Sequence, residues 1–266
     1  MQLNLHTRLP RVPVLEGRHD FILQHVVGKD VLHVGCVDAG VLGPRFERGE
    51  LMHQRLAAVT GDLWGMDVDS DGIDFLRGHG FDHLFTGDIC TPEGWAQLDG
   101  RTFDVILASE VVEHLMDVGA FLKNVQQAMR PDHTELIITV PNAFRLSTLM
   151  GLLRGEEFVH PDHNYWFSYV TATNLLRKSG LTLTDLYVYS MQPWRLRPGR
   201  AAGSGPSVAP IGTGQARASN GPSFVQRGMA YVFSLPKRIL LSWLFRRTPF
   251  WGDGLILVAQ VRSHAE

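Results

Sequence analysis

The heptapeptide SEVVEHL (109–115) gathers acid–base chemistry into a short space. On a helix, Glu110, Glu113 and His114 stand at i, i+3 and i+4 and project from one face. Two carboxylates and an imidazole sharing a face are costly unless something cationic sits among them. A divalent ion relieves that repulsion, with Glu110, Glu113 and His114 as ligands. A further imidazole lies downstream in VHPDHNYWFS (159–168). There His163 reads as a fourth ligand from across a cleft, with His160 its competitor. The plainer reading leaves Glu113 as a cap or ion-pair partner and His114 as a packed histidine. Histidine titrates near neutral pH, so His160 or His163 can also take a hydroxyl proton. Without a metal, His114 or His163 is a simple general base. The catalytic candidates are therefore Glu113, His114, His160 and His163. Tyr165, Trp166 and Phe167 offer rings for stacking on a sugar, although at least one of them belongs in a core.

Such groups need a frame. Short β-branched runs alternate with mixed segments through the first two-thirds of the chain. Strands are expected at 30–37, 62–69, 82–89, 103–109 and 134–142, and helices at 44–59, 70–80 and 110–129. Ser70 is a plausible N-cap of the second helix, and Pro131 stops the third. This alternation implies a parallel, doubly wound sheet with helices on both faces. Ligands then sit beyond the carboxyl ends of the strands. A helical region (145–155), a helix (171–179) and strands at 181–191 and 254–261 complete the frame.

Three strand ends carry nucleotide-type chemistry. VLHVGCVDAG (31–40) runs from a strand into Gly35 and Gly40, where backbone N–H groups can approach a ligand. It is not the dinucleotide fingerprint, because Val37 occupies the middle glycine position. Asp67 can accept hydrogen bonds from ribose hydroxyls, whereas Asp69 reads as a cap or turn residue. Asp88 can accept from an adenine amine while Ile89 covers a ring face. Asn142, after the 134–142 strand, either faces an acceptor or closes a turn.

The glycine turn, GMD (65–67), GDI (87–89), FDVILASEVVEHL (103–115) and AMRPDHTELIITVPN (128–142), in that order, resemble the class I S-adenosylmethionine-dependent methyltransferases. The resemblance covers roughly 20–192 and the terminal strand. It implies an α/β, Rossmann-like sheet of seven strands, six parallel and the last antiparallel. It implies that Gly35 and its neighbours His33, Cys36, Val37 and Gly40 line the methionine part of the cofactor. It places Asp67 and Val68 at the ribose and Asp88 and Ile89 at the adenine, with Ser109 completing the set. Two positions depart from the family pattern. His33 stands where an acidic residue is usual, and Val37 where glycine is usual. Bacterial members that share VLH-x-GC-x-D and HPDH-x-YWFS look like polysaccharide-pathway enzymes. E-x-x-E-H with a distant histidine is similar to two further groups. One methylates the terminal ribose of small RNAs, and the other methylates a catechol on the way to ubiquinone. Both imply a metal on two neighbouring acceptor oxygens, held by Glu110, Glu113, His114 and His163. The mixed oxygen and nitrogen set suits Mg²⁺, Mn²⁺ or Zn²⁺.

The expected reaction is in-line attack of an acceptor oxygen on the sulfonium methyl carbon, and the protein must position the reactants and polarise the hydroxyl. The leading acceptor is a sugar or other vicinal diol. A quinone precursor, a lipid or an RNA end is the alternative, and a non-catalytic cofactor-binding relic is the third reading.

Composition agrees with a single methyltransferase domain over 1–266. The 266 residues are 44% hydrophobic and 20% charged, which excludes a disordered chain or a coiled coil. A net charge of -2 offers no global basic field for duplex nucleic acid. Two cysteines cannot build a disulfide framework, so a reduced, cytoplasmic setting is expected. The first twenty residues show no secretory signal pattern, and no apolar run reaches spanning length. The Gly/Ser/Pro/Ala-rich stretch 196–226 reads as a flexible insertion or lid. Within 227–250, LPKRILLSWLFRR (235–247) joins apolar bulk to basic ends. It suits peripheral contact with the inner face of a membrane, burial, or a homodimer interface.

Overall fold

The computed structural model describes residues 7–190 and 248–263. The expected insertion at 196–226 and the expected apolar, basic-flanked helix at 229–247 lie outside the described residues. The chain divides into two compact units, residues 1–191 with 249–266 and residues 192–248, and the first carries all that follows.

Among the described residues, eight strands form one sheet: β1 (Val14–Glu16), β2 (Asp30–Val34), β3 (Asp62–Asp67), β4 (Leu84–Thr86), β5 (Val105–Ser109), β6 (Glu135–Pro141), β7 (Leu181–Ser190) and β8 (Gly254–Val261). Their order is β1-β7-β8-β6-β5-β2-β3-β4. All are parallel except β8, which runs antiparallel between β6 and β7. The sheet therefore has one strand more than expected. The addition is β1, a three-residue edge strand parallel to β7. Its sequence, VLE, is too short to show a strand period.

Alternate residues feed two cores. Leu32, Val34, Ile106, Ala108, Leu136, Ile138, Leu255 and Leu257 enter one cluster. Val31, Val105, Leu107, Ile137, Ile256 and Val258 enter the cluster on the opposite face. A sheet covered on both faces needs such continuous apolar strands. Each fully buried aliphatic side chain contributes about 1.5–3 kcal/mol.

The helices are shorter than the periodicity implies. The expected 44–59 helix is two, α2 (Leu42–Glu47) and α3 (Met52–Ala57) after α1 (His19–His25), with Gly49 between them at φ 66°. In α4 (Ser70–Gly78) the cap is Asp69, whose side chain accepts from Gly72 N–H, and not Ser70. A carboxylate one residue earlier has the extended backbone that a cap requires. After α5 (Pro92–Ala96), the expected 110–129 helix breaks into a 3-10 turn at Val112–His114, α6 (Val118–Asn124) and a second 3-10 turn at Val125–Ala128. Asp117 caps α6 by accepting from Ala120 N–H, which sets the helix start beyond His114. Two helices, α7 (Leu146–Leu152) and α8 (Tyr169–Lys178), precede β7. Among the described residues, no helix is long and apolar enough to cross a membrane.

Candidate functional site

The β2 end turns sharply at Gly35, where φ is 70°. A Cβ there would lie 2.2 Å from Val111 Cγ2, so glycine is required by backbone and space alike. The loop after Gly35 is tied to the next strand. Val37 N–H donates to Asp67 Oδ2 at 2.8 Å, and Asp69 N–H to Asp67 Oδ1 at 3.1 Å. Burial pushes the Asp67 carboxyl up, and the N–H groups of Asp69, Val37 and Val68 pull it back. Both oxygens keep lone pairs for ligand hydroxyls.

The other expected cofactor residues divide. Val37 packs against Gly72 of α4, where a Cβ would meet its methyls at 2.3 Å. The departure from glycine is thus absorbed by a glycine in the next helix. His33 is a correction: it is buried and hydrogen-bonded through Nδ1 to His53 Nδ1 at 3.3 Å. Burial lowers its pKa to about 3, so it is neutral and occupied inside the protein. Cys36 is a second correction, since its buried side chain joins the core with Leu51 and Ile73. Gly65 makes room for this pair, because a Cβ there would meet His53 and Cys36 within 3.0 Å. Gly40 has a positive φ with nothing near, which is turn geometry only. Asp88 is exposed and accepts from Cys90 N–H, Val68 is exposed, and Ile89 is buried in the larger core cluster.

The acceptor end is built differently from a helix face. Glu110 sits at the end of β5 with φ 56°, and Glu113 and His114 lie on the 3-10 turn. Glu110 Oε1 accepts from Thr139 Oγ1 at 2.9 Å and from the Tyr189 hydroxyl at 3.0 Å. Ser109 Oγ lies 3.1 Å from Thr139 Oγ1 and accepts from Arg18 Nε at 3.3 Å. Glu113 is fully buried, and neither carboxylate oxygen has a hydrogen-bond partner. Burial first, then the Glu110 charge, raise its pKa to about 8.

His160 and His163 both reach this turn. The structure therefore joins the two candidates that the sequence set against each other. One ligand atom from each of His114, His160 and His163 lies within 4.8 Å of the others. His163 Nε2 is 4.0 Å from Glu113 Oε1. The loop is pinned to the turn by Asn164, whose N–H donates to Glu113 O at 2.7 Å and whose side chain donates to His114 O at 2.8 Å. Tyr165 adds a bond to Met116 O. Phe167 is core, and Trp166 lies under the Arg145 guanidinium at 5.7 Å. Asn142 is structural: it is buried and donates to Phe250 O and Gly252 O, holding the chain that enters β8.

A family model described as a methyltransferase domain matches residues 13–186. The chain belongs to the methyltransferase domain family. Its fold is that of the class I S-adenosylmethionine-dependent methyltransferases, as the motifs implied. It is 28% identical over 173 residues to the mitochondrial ubiquinone biosynthesis O-methyltransferase of Homo sapiens, covering 61% of this chain and 45% of that protein. To the ubiquinone biosynthesis O-methyltransferase of Azorhizobium caulinodans it is 27% identical, covering 65% of this chain and 66% of that one. The chain thus spans less than half of the human relative and about two-thirds of the bacterial one. Among solved structures, a methyltransferase from Archaeoglobus fulgidus matches with a TM-score of 0.50 and 17% identity, over 91% of each chain. A small RNA methyltransferase matches at 0.51 and 13% identity, over 94% of this chain and 25% of that one. At such identities the likeness is one of fold.

In this fold the loop and the carboxylate of Asp67 are one unit, so Asp67→Asn should act on both. Hydrogen bonds to a charged acceptor contribute about 1.5–3 kcal/mol each. Calorimetric titration should show S-adenosylmethionine binding weakened by at least about tenfold. Unchanged affinity would remove Asp67 from the cofactor site.

Sequence reasoning missed Arg18, Thr139, Tyr189 and Asn164. Thr139 and Tyr189 sit near the ends of β6 and β7, far along the chain from Glu110. No local spacing connects them to it. Asn164 lies inside HPDHNYW and Thr139 inside AMRPDHTELIITVPN, but neither pattern says what its side chain will meet.

Proposed function

We propose that this chain transfers a methyl group from S-adenosylmethionine to one of two neighbouring hydroxyls on an aromatic, quinone-precursor acceptor, assisted by a divalent cation. The observation that carries the reading is Glu113: a fully buried carboxylate without a hydrogen-bond partner on either oxygen, beside three converging imidazoles. A buried charge left unpaired is costly, and a bound cation removes that cost. The donor set therefore fits a cation. The names of the curated relatives support the quinone-precursor acceptor over the sugar hydroxyl expected first.

S-adenosylmethionine, when bound, supplies the methyl carbon and its thioether leaving group. The chain's own task is to hold and orient. The Gly35 turn brings backbone N–H groups to the β2 end, and Asp67 presents oxygens for ribose hydroxyls. Arg18, with one N–H committed to Ser109, keeps further donors for an anionic group.

Glu113, His114 and His163 would hold the cation, which supplies Lewis acidity that lowers an acceptor hydroxyl's pKa. The His114 tautomer is already set for this. Its Nδ1 lies 3.2 Å from Asp162 O, and a carbonyl only accepts, so the proton sits on Nδ1 and Nε2 offers a lone pair. Burial, with His114 and His160 nearby, keeps the His163 pKa below the ordinary range. His163 is thus neutral at neutral pH, and Nε2 can serve a cation or take a hydroxyl proton.

Turnover on a catechol should fall by more than about tenfold in excess chelator and return on adding a divalent ion. Full activity in chelator would leave His163 as a simple base and remove the metal from the reading. The cytoplasmic setting and membrane-surface contact through 235–247 are proposed on sequence grounds, and fractionation with inner-membrane vesicles would test them.

A further inference from the structure

This inference rests on the reading that the cleft holds a cation, and concerns which cation and through which residues. Two carboxylates and two imidazoles were expected around it. The structure regroups them. Glu110 Oε1 is engaged by Thr139 and Tyr189, two donors fixed on neighbouring strands. His160 takes the opposite course. Its ring centroid lies 5.2 Å from that of His163 and 5.8 Å from that of His114. One ligand atom from each ring falls within 4.8 Å of the others, with Glu113 at the foot of His163.

We propose that His160 is a cation ligand, and that His114, His160, His163 and Glu113 select an imidazole-preferring ion of the Zn²⁺ or Co²⁺ class over Mg²⁺ and Mn²⁺. Mg²⁺ demands near-octahedral oxygen coordination and gives up its waters reluctantly. Three imidazoles and one carboxylate are the opposite environment. Nitrogen-rich sets of this kind suit zinc and its neighbours, with positions left open for a bidentate acceptor. The present contact of His160 does not prevent this. Asp162 N–H donates to His160 Nδ1 at 3.3 Å, near the long limit of a hydrogen bond, on an exposed ring that can give it up. Pro161 and Asp162 are the only residues between His160 and His163. With the loop pinned through Asn164, both rings stay at the turn.

The test uses metal-free full-length protein titrated separately with Co²⁺, Zn²⁺, Mn²⁺ and Mg²⁺, reading heat and, for Co²⁺, visible absorption. Co²⁺ and Zn²⁺ should bind at least about tenfold tighter than Mg²⁺, and bound Co²⁺ should show the intense bands of a low-coordinate nitrogen-rich site. His160→Ala should weaken Co²⁺ and Zn²⁺ by about 10–100-fold and shift the spectrum, while Mg²⁺ affinity, melting temperature and S-adenosylmethionine binding stay as they were. His163→Gln should weaken every ion. Equal affinity for Mg²⁺ and Co²⁺, or an unchanged Co²⁺ isotherm in His160→Ala, overturns the proposal and leaves the cation reading standing. Absence of binding by all four ions overturns both.

Discussion

Glu113→Gln should reduce methyl transfer by about 10²–10⁴-fold while S-adenosylmethionine still binds. The substitution keeps shape and removes charge at the one fully buried carboxylate of the acceptor end. The cofactor loop is built from Gly35, Val37 and Asp67, none of which bonds to Glu113, so the two effects separate. Single-turnover rates with calorimetric cofactor binding would show this. A variant that keeps wild-type turnover would take Glu113 out of the chemistry.

The same variant should be more stable than the parent in chelator at neutral and alkaline pH. The Glu113 pKa stands at about 8 in the folded protein, above the ordinary glutamate value of about 4.5. The folded state therefore holds this proton more tightly. That contribution is fully present below about pH 4.5 and is lost as pH rises through about 8. Wild-type stability should fall across that window by on the order of a few kcal/mol, and the Gln variant should lack that part of the fall. A saturating cation should remove the wild-type deficit and stabilise the variant less, since the variant keeps only the three imidazoles. Denaturant titrations at several pH values, with and without the ion, read all of these.

Gly35→Ala is the second large effect. The added methyl must take a left-handed backbone, costing about 1–2 kcal/mol. It also enters space held by Val111 Cγ2, 2.2 Å away, and overpacking costs about 1–3 kcal/mol more. The variant should unfold at lower denaturant and bind S-adenosylmethionine poorly, because the same turn presents the loop. Val111→Ala removes the clashing methyl. The double variant should therefore recover the packing part and keep the backbone part, a coupling of about 1–3 kcal/mol. Strict additivity of the two single changes would show that the turn and the SEVVEHL segment do not press on each other.

The alternation of elements along the chain was enough to read the parallel sheet, and the family resemblance supplied the antiparallel last strand. Strand 254–261 was placed to the residue, because an eight-residue apolar run flanked by glycine has few other uses. Asp69 was legible as a cap, since an aspartate before SDGID is a local signal. The helix expected at 110–129 was not legible. Its apolar spacing fits a helix, but Glu110 adopts a positive φ and Asp117 restarts the chain. His33 and Val37 looked like losses at the cofactor loop. Their side chains instead find His53 and Gly72, partners 20 and 35 residues further on that no local pattern reveals.

Sequence alone determined which chemical groups this chain owns and at which strand ends they emerge, because strand and turn signals are local. Tertiary structure decided what those groups do. Thr139 and Tyr189 arrive from other strands to bond Glu110, and the 160–164 loop folds back to gather His160 and His163 with His114, His163 standing 4.0 Å from the buried Glu113. Hydrogen bonding and burial are settled by neighbours in space, and they separate a carboxylate held by two hydroxyls from a buried one with no hydrogen-bond partner.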